Sequence, residues 1–489
     1  MKLMTIGLDG VSPVLVEKWI DHLPNLRGLR NDGVQGVLES VVPPSSVPAW
    51  QCFATGKNPA KIGVWGFISI GPDKRVRKGR TTPDLGCFWD KCSQAGQRVG
   101  VFNVPGTYPP YAINGFMVSG FPTPPGKVWS YPKGLMSKID RAVGGYEIDV
   151  PLTKPSEMRG GEEAYLAQVE RLHRKSVNAA KLLLEWFNPQ VFVMTLQGID
   201  MVQHDFWRYM GNDGSPYSNV VRDWYVKLDA AVGELRRFAA PETTTLVLSD
   251  HGSAPVSTSL HVNELLRAEG LLKLRNSRNV KQSGAFYTKM RQLILRSLPP
   301  DAIRVIYKVT PSSVAHKLTV SAKLERTLTH LTENIDWEQS QAFSTGGHQA
   351  AIYTNLHQNK TGSNTEPDEV VSTICGLFNN LRHPRTGEKL RPVFHFRKKV
   401  FWGPYENEAP NLCVELFSEK EKIHMNPILG GGKMWSFSPH LSAEHVRQGF
   451  WSMVGPNIVS GLRMDASILD LAPTVLSLLG FGVSSDLDG

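Results

Sequence analysis

The feature that most constrains the fold is an alternation of short apolar runs and amphipathic helical patterns over the first 270 residues. The runs LMTIGLDG, QRVGVFNVP, VFVMTLQGID and TTTLVLSDHG are rich in Val, Leu and Thr. The segments GEEAYLAQVERLHRKSVNAAKLLLEWF and VVRDWYVKLDAAVGELRRF separate the last three runs, and their apolar residues recur at helical spacing. This alternation predicts an α/β fold, a doubly wound and mostly parallel sheet sandwiched by helices.

The pattern changes after residue 270. The stretch SGAFYTKMRQLILRSLPPDAIRVIYKVTPSSVAHKL indicates basic helices without a strand, and strand patterns return at QAFSTGGHQAAIYTN. We predict that residues 1–270 and 346–489 form the core and that residues 271–345 form a smaller helical or mixed cap inserted into it. The runs GFWSMVGPNI and ASILDLAPTVLSLLGF would supply a last strand and helix.

Composition narrows the class of protein. The net charge is +9, but the lysines and arginines are dispersed, which indicates a solvated basic surface rather than a site for a nucleic-acid polymer. Five cysteines without a CxxC pair indicate reduced thiols. The first residues lack the pattern of a signal peptide, and no run of 18 apolar residues occurs. We expect a cytoplasmic protein without a membrane span; nothing in the sequence indicates its oligomeric state.

Carboxylates follow three of the predicted strands. Asp9 ends the first strand, Asp200 ends the third with His204 four residues later, and Asp250 ends the fourth next to His251. The carboxyl ends of parallel strands meet at one edge of the sheet, where ligands bind. Singly, each residue has a plainer interpretation, such as a turn, a helix cap or a surface histidine. Together they predict two divalent metal ions, because Asp and His suit Zn²⁺, Mn²⁺ and Fe²⁺.

A serine in the segment VVPPSSVPAW follows another predicted strand, GVLESVV, and precedes a predicted helix. Ser46 should therefore reach the same edge of the sheet. Its plainer interpretation is a helix N-cap. A bound divalent ion would instead lower the pKa of its hydroxyl and make it a nucleophile, and a helix N-terminus would favour a phosphate anion.

These residues resemble the type I phosphodiesterase/nucleotide pyrophosphatase family of the alkaline phosphatase superfamily. The resemblance covers nearly the whole chain and rests on GLDG, PPSSVPAWQCFATGKNP, QGIDMVQHDFW, LSDHG, VGPNI and ASILDLAPTVLSLLGF. It implies an alkaline phosphatase-like core with two zinc-type sites, bridged by the nucleophile and the phosphate.

The resemblance also implies the ligands of the two ions. The first ion would be held by Asp9, Ser46, Asp250 and His251. The second would be held by Asp200, His204 and a later histidine. We assign the later histidine to His445 in SAEHVRQGFWSMVGP, with His440 and His348 as rivals.

The chain departs from the family beside the nucleophile. Serine stands where threonine is common, and GVWGF lacks an asparagine that often binds a phosphate oxygen. Backbone N–H groups near Ser46 or the side chain of Asn58 are the candidate oxyanion donors. Trp50 is a candidate contact for an apolar group or a base, with core packing as its alternative.

We predict a metal-dependent phosphoesterase that cleaves phosphodiester or pyrophosphate bonds of a small, nucleotide-like substrate through a phospho-serine. Monoester specialists place an arginine near the nucleophile, where this chain has Ala49, Trp50 and Gln51. The alternatives are a phosphomonoesterase, a phosphonate hydrolase, a sulfatase, or a non-catalytic metal- or ligand-binding protein on the same fold. SVPAW matches the sulfatase motif Cys/Ser-x-Pro-x-Arg until Trp50 replaces the arginine, and the complete ligand set argues against loss of catalysis.

Overall fold

The structure is a computed structural model of the 489-residue chain. It describes residues 1–66, 68–71, 75–78, 85–123, 129–147, 154–275, 328–329, 331–354, 367–429, 431–437 and 441–489. Most of the predicted cap (271–345) and His440 lie outside the described residues, so the domain boundaries stay a prediction.

The described residues form strands throughout the chain. The first eleven are β1 Leu3–Leu8, β2 Val34–Glu39, β3 Ile68–Ile70, β4 Val76–Lys78, β5 Val99–Phe102, β6 Gly115–Val118, β7 Ser130–Tyr131, β8 Val191–Leu196, β9 Thr244–Leu248, β10 Gly252–Pro255 and β11 Thr258–His261. The others are β12 Ala342–Ser344, β13 Ala350–Thr354, β14 Arg391–Phe396, β15 Leu412–Phe417, β16 His424–Asn426, β17 Trp435–Phe437, β18 Ala443–Val446, β19 Gln448–Val454, β20 Leu462–Arg463 and β21 Ala466–Ser467.

The α-helices are α1 Pro13–Trp19, α2 Pro24–Asp32, α3 Ser46–Thr55, α4 Pro59–Ile62, α5 Phe88–Gln94, α6 Leu135–Ala142, α7 Gly161–Phe187, α8 Gly198–Phe206, α9 Val220–Arg236, α10 Val262–Ala268, α11 Pro367–Asn379, α12 Arg397–Val400 and α13 Leu471–Leu478. Short 3₁₀ turns adjoin several of them. Within the described ranges, no helix is both long enough and apolar enough to cross a bilayer.

The central sheet has ten strands in the order β20-β2-β19-β9-β1-β8-β5-β6-β7, with β21 also paired to β2. The strands from β9 to β6 run parallel. β19 is antiparallel to β2 and β9, and β7 is antiparallel to β6. The predicted doubly wound, mostly parallel sheet is therefore confirmed.

Helices cover both faces of this sheet. Phe192 and Met194 of β8 pack into an apolar cluster with α1, α2, α7, α8 and α9, whereas Val191 and Val193 pack into a second cluster with α3, α5 and α13. Successive residues of a strand point to opposite faces, so a strand between two helical layers must be apolar throughout. This explains why the central strands read as unbroken apolar runs.

A smaller antiparallel sheet, in the order β12-β13-β15-β14, lies outside the central one. It packs with α10 and α11 around an apolar cluster of its own. Three short sheets stand apart from both among the described residues: β16-β11-β17, the antiparallel pair β3-β4, and the antiparallel pair β10-β18. In that pair Ser253 lies opposite His445, so β18 brings His445 towards the end of β9.

Candidate active site

Three aspartates lie just beyond the carboxyl ends of adjacent parallel strands. Asp9 directly follows β1, and Asp250 lies two residues beyond β9. The strand predicted to end at Asp200 ends at Leu196 instead, and Asp200 lies in the first turn of α8. His204 is on the same helix four residues later, a spacing that places both side chains on one face.

Ser46 is the first residue of α3 and is buried next to Asp9 and His251. Its Oγ lies 3.4 Å from Asp9 Oδ1 and 3.4 Å from His251 Nε2. The N-terminal end of a helix carries partial positive charge and free N–H groups, which favour an anion. Ser45 takes the N-cap position, so the helix start sets Ser46 against the aspartates rather than using its hydroxyl as the cap.

The three histidines predicted as metal ligands each form the same kind of hydrogen bond with the backbone. The Nδ1 atoms of His204, His251 and His445 lie 2.8, 3.1 and 2.9 Å from the carbonyl oxygens of Ala443, Gly252 and Pro44. A carbonyl oxygen only accepts, so each Nδ1 carries a proton, and in the neutral form of each ring the lone pair lies on Nε2. Backbone carbonyls orient metal-binding imidazoles in this way.

The first cluster consists of Asp9, Ser46, Asp250 and His251. The Nε2 atom of His251 lies 3.5 Å from Asp9 Oδ1 and 3.4 Å from Asp250 Oδ2. Asp250 Oδ1 accepts the N–H of Gly10 at 3.2 Å, but its Oδ2 has no hydrogen-bond partner within the described part of the chain. Burial and then the neighbouring carboxylates raise the pKa of Asp9 and of Asp250 well above the usual value.

The second cluster consists of Asp200, His204 and His445. The two imidazole Nε2 atoms face each other at 3.0 Å, and they lie 3.3 and 3.4 Å from Asp200 Oδ2 and Oδ1. Burial would lower the pKa of His204, but Asp200 raises it to about 9, so without a cation the Nε2 of His204 carries a proton that this contact can share. Burial alone would raise the pKa of Asp200, but His204 and His445 lower it well below its usual value.

A divalent cation fits each cluster, since it would bind the facing lone pairs and compensate the buried carboxylates. Ligand atoms of Asp200, His251 and His445 lie within 4.8 Å of one another, so the two clusters adjoin. The seven predicted ligands are thus brought together at one edge of the central sheet.

The structure corrects the two predicted substrate contacts. Trp50 is fully buried in the core, so it cannot contact a base; its Nε1–H donates to Asp9 Oδ2 at 3.2 Å. The Oδ1 atom of Asn58 caps α4 by accepting the N–H of Ala60 at 2.9 Å, and its Nδ2 donates to the Val400 carbonyl. Both ends of the Asn58 amide are thus engaged in the scaffold, and we do not retain it as an oxyanion donor.

Other residues that contact the site had no clear signal in the sequence. Glu444, next to His445 on β18, is buried and accepts hydrogen bonds from the Nδ1 atoms of His348 and His424. Lys422 is buried and donates to Glu415 Oε1 at 2.8 Å and to the carbonyl of His445. We call His348, Lys422 and His424 the outer wall of the site. Only His348 was a candidate from sequence, as a rival to His445.

A site of this kind, two cation-binding clusters beside a serine at a helix N-terminus, is typical of phosphoryl-transfer hydrolases. The family model of the type I phosphodiesterase / nucleotide pyrophosphatase proteins matches residues 3–352. The chain therefore belongs to this family and is a phosphodiesterase-type hydrolase. The resemblance stated from the sequence motifs is confirmed.

The fold is also that of a solved relative. The structure of murine ectonucleotide pyrophosphatase / phosphodiesterase 5 superposes with a TM-score of 0.53 at 13% identity, covering 99% of this chain and 96% of that one. A structure of its inactive variant in complex with AMP matches equally well, with a TM-score of 0.53 at 13% identity. No curated protein sequence matches the chain.

Proposed function

We propose that this hydrolase cleaves phosphodiester or pyrophosphate bonds with two divalent cations and Ser46 as the nucleophile. The observation that carries the proposal is the position of the Ser46 Oγ, 3.4 Å from both Asp9 Oδ1 and His251 Nε2, at the start of α3. A serine that only stabilises the scaffold would gain nothing from a buried acid and a buried imidazole at such distances.

The chain supplies ligands for both cations. Asp9, Ser46, Asp250 and His251 would hold one, and Asp200, His204 and His445 the other. When bound, the cations would supply Lewis-acid charge that lowers the pKa of the Ser46 hydroxyl and stabilises charge on the leaving oxygen. The mixed carboxylate and imidazole set suits Zn²⁺ first, with Mn²⁺ or Fe²⁺ as alternatives.

Each of the chain's own residues at the site would have a separate function in the reaction. The Ser46 hydroxyl proton points to Asp9 Oδ1, and Trp50 Nε1–H fixes the other oxygen of that carboxylate. Ser46 Oγ would attack phosphorus in line, the alcohol or phosphate would leave from the opposite side, and water would hydrolyse the phospho-serine. The N–H groups at the start of α3 would bind a non-bridging phosphate oxygen.

The substrate would be a small phosphodiester or nucleotide-like molecule. A relative of the same fold was solved with AMP, which supports a nucleotide as one candidate. The residues after Ser46 on α3 are Val47, Pro48, Ala49 and Trp50, so the helix offers no arginine for the second charged oxygen of a monoester. All five cysteines are free thiols, which fits the reducing cytoplasm as the proposed location.

The test compares bis-p-nitrophenyl phosphate with p-nitrophenyl phosphate, using zinc-reconstituted protein and Ser46→Ala side by side. We expect the diester to be hydrolysed faster and Ser46→Ala to lose at least about 10³-fold in kcat while still binding zinc. Ser45→Ala is the matched control and should keep most of the rate. Equal rates for Ser46→Ala and the wild type would refute the nucleophile, and a faster monoester would refute the substrate class.

A further inference from the structure

Three imidazoles form a continuous stack through the site. The ring of His445 lies 3.5 Å from that of His251 and 3.6 Å from that of His348, at interplanar angles of 20° and 7°. Two rings so close and so nearly parallel to His445 must occupy its opposite faces. The stack therefore runs from the first cluster, which holds Ser46, through the second cluster to His348.

His348 is placed there by a turn between two strands. It follows β12 and the glycines Gly346 and Gly347, whose φ values of 60° and 105° lie in the left-handed region. The N–H of Gly347 donates to the carbonyl of Met425 at 3.0 Å, which ties this turn to β16 and brings His348 near His424. Both imidazoles then meet the buried carboxylate of Glu444.

Glu444 fixes which nitrogen of His348 is available. Its carboxylate accepts from Nδ1 of His348, Nδ1 of His424 and the backbone N–H of His445. Because an ionised carboxylate only accepts, the proton of a neutral His348 lies on Nδ1 and its Nε2 keeps a lone pair. The His348 side chain is 22% exposed whereas that of Glu444 is 1% exposed, so a small molecule can reach part of the His348 ring but not the carboxylate that holds it.

The direction of the imidazole stack indicates where His348 would lie relative to a bound substrate. If Ser46 is the nucleophile, as proposed above, an in-line displacement expels the leaving group on the side away from Ser46. In the stack, the second cluster and then His348 follow the cluster that holds Ser46, so we take this direction as the leaving-group side. A leaving alcohol would therefore pass next to an imidazole nitrogen that can accept a hydrogen bond.

We propose that His348, held by Glu444 on the outer face of His445, binds the leaving group of the substrate by accepting a hydrogen bond from a hydroxyl on it. The site would then favour phosphodiesters whose leaving group is a polyol or sugar over those with a plain alkyl group. The inference rests on the proposed function, because it uses the direction of attack from Ser46.

The experiment uses two substrates in which each molecule carries its own reference leaving group. Methyl 2,3-dihydroxypropyl phosphate can release glycerol or methanol, and methyl propyl phosphate can release propanol or methanol. Proton NMR gives both alcohols from one sample of zinc-reconstituted full-length protein. We expect the glycerol-to-methanol ratio to exceed the propanol-to-methanol ratio about tenfold, the effect of one hydrogen bond.

His348→Asn is the decisive variant, since an asparagine amide can keep the N–H towards Glu444 but lacks the outer nitrogen. We expect it to bring the two ratios within about twofold of each other. His424→Asn is the matched control because it disturbs the same carboxylate from its other side. It should keep the tenfold difference between the ratios even if the total rate falls.

Equal ratios in the wild type, or a tenfold difference that survives His348→Asn, would overturn the proposal. The same loss in both variants would also overturn it, because it would indicate general disturbance of Glu444. If the wild type cleaves neither alkyl diester but still hydrolyses bis-p-nitrophenyl phosphate, the leaving-group contact is refuted and the proposed function stands. If it hydrolyses none of the three, the proposed function itself fails.

Discussion

The central sheet brings acids to the site, and the outer wall brings imidazoles and a lysine. Asp9, Asp200 and Asp250 lie at or shortly after the ends of β1, β8 and β9, so their meeting point follows from the parallel order of these strands. The outer wall contacts the neighbouring residues Glu444 and His445, and does so from segments close to the smaller sheets. The first region would bind cations and the second would orient one ligand and, in our proposal, the substrate.

This difference predicts that changes in the two regions affect different properties. A residue of the central edge should control whether a cation binds at all. A residue that supports the outer wall should alter how tightly the second cation is held. A residue that only stabilises the scaffold should affect the free energy of unfolding and leave catalysis unchanged.

The largest effect is expected from Asp250→Asn. Losing this ligand should lower kcat/KM by about 10³-fold, because a bound cation supplies several kcal/mol of charge stabilisation. The same variant should unfold at a higher temperature than the wild type when both lack cations, since it removes a buried carboxyl whose ionisation is opposed by burial and by Asp200. Phosphodiester hydrolysis and thermal unfolding in chelator test both statements, and a lower melting temperature of the cation-free variant would contradict the second.

A smaller effect is expected from Glu444→Gln. The glutamine amide cannot accept both imidazole N–H groups, so His445 beside it should be held less firmly. Residues that orient metal ligands typically contribute 10–100-fold in metal affinity. Zinc titration by calorimetry should show the weaker of two binding events shifted by that factor, with the other unchanged. A shift of both events would contradict the separate functions of the two regions, and Glu419→Gln, on the exposed surface, is the control.

The smallest effect is expected from Asn58→Ala. This variant removes the cap of α4 and a hydrogen bond to Val400, so the free energy of unfolding should fall by about 1 kcal/mol. Its kcat/KM for the diester should stay within about twofold of the wild type. A loss of 10²-fold or more in kcat would restore Asn58 as an oxyanion donor and contradict its assignment to the scaffold.

The sequence predicted the acids well because their position depends on local signals. A buried strand followed by Asp can be recognised within ten residues, and parallel strand order then brings the ends together. The strand predicted to end at Asp200 is shorter than predicted, since α8 begins within the predicted run. His445 required the family resemblance, because its strand β18 is short and lies far along the chain.

Apart from His348, the outer wall and the adjoining Glu444 could not be predicted in this way. Glu444, Lys422 and His424 have no motif, and their contacts depend on how β15, β16 and β18 pack, which no local pattern encodes. For Trp50 the sequence left two interpretations open, contact with an apolar group or a base and packing in the core. The helix α3 is buried on all sides, so its tryptophan turns into the core and reaches Asp9 instead.

The proposed chemistry requires two adjoining cation sites, and anomalous X-ray diffraction at the zinc edge from crystals of the zinc-reconstituted protein would locate them. We expect two peaks: one among Asp9, Ser46, Asp250 and His251, and one among Asp200, His204 and His445. Ligand distances of about 2.0–2.2 Å would identify both as bound zinc. A single peak, or a peak between His348 and Glu444 in place of the second, would contradict the two-cation site and the function built on it.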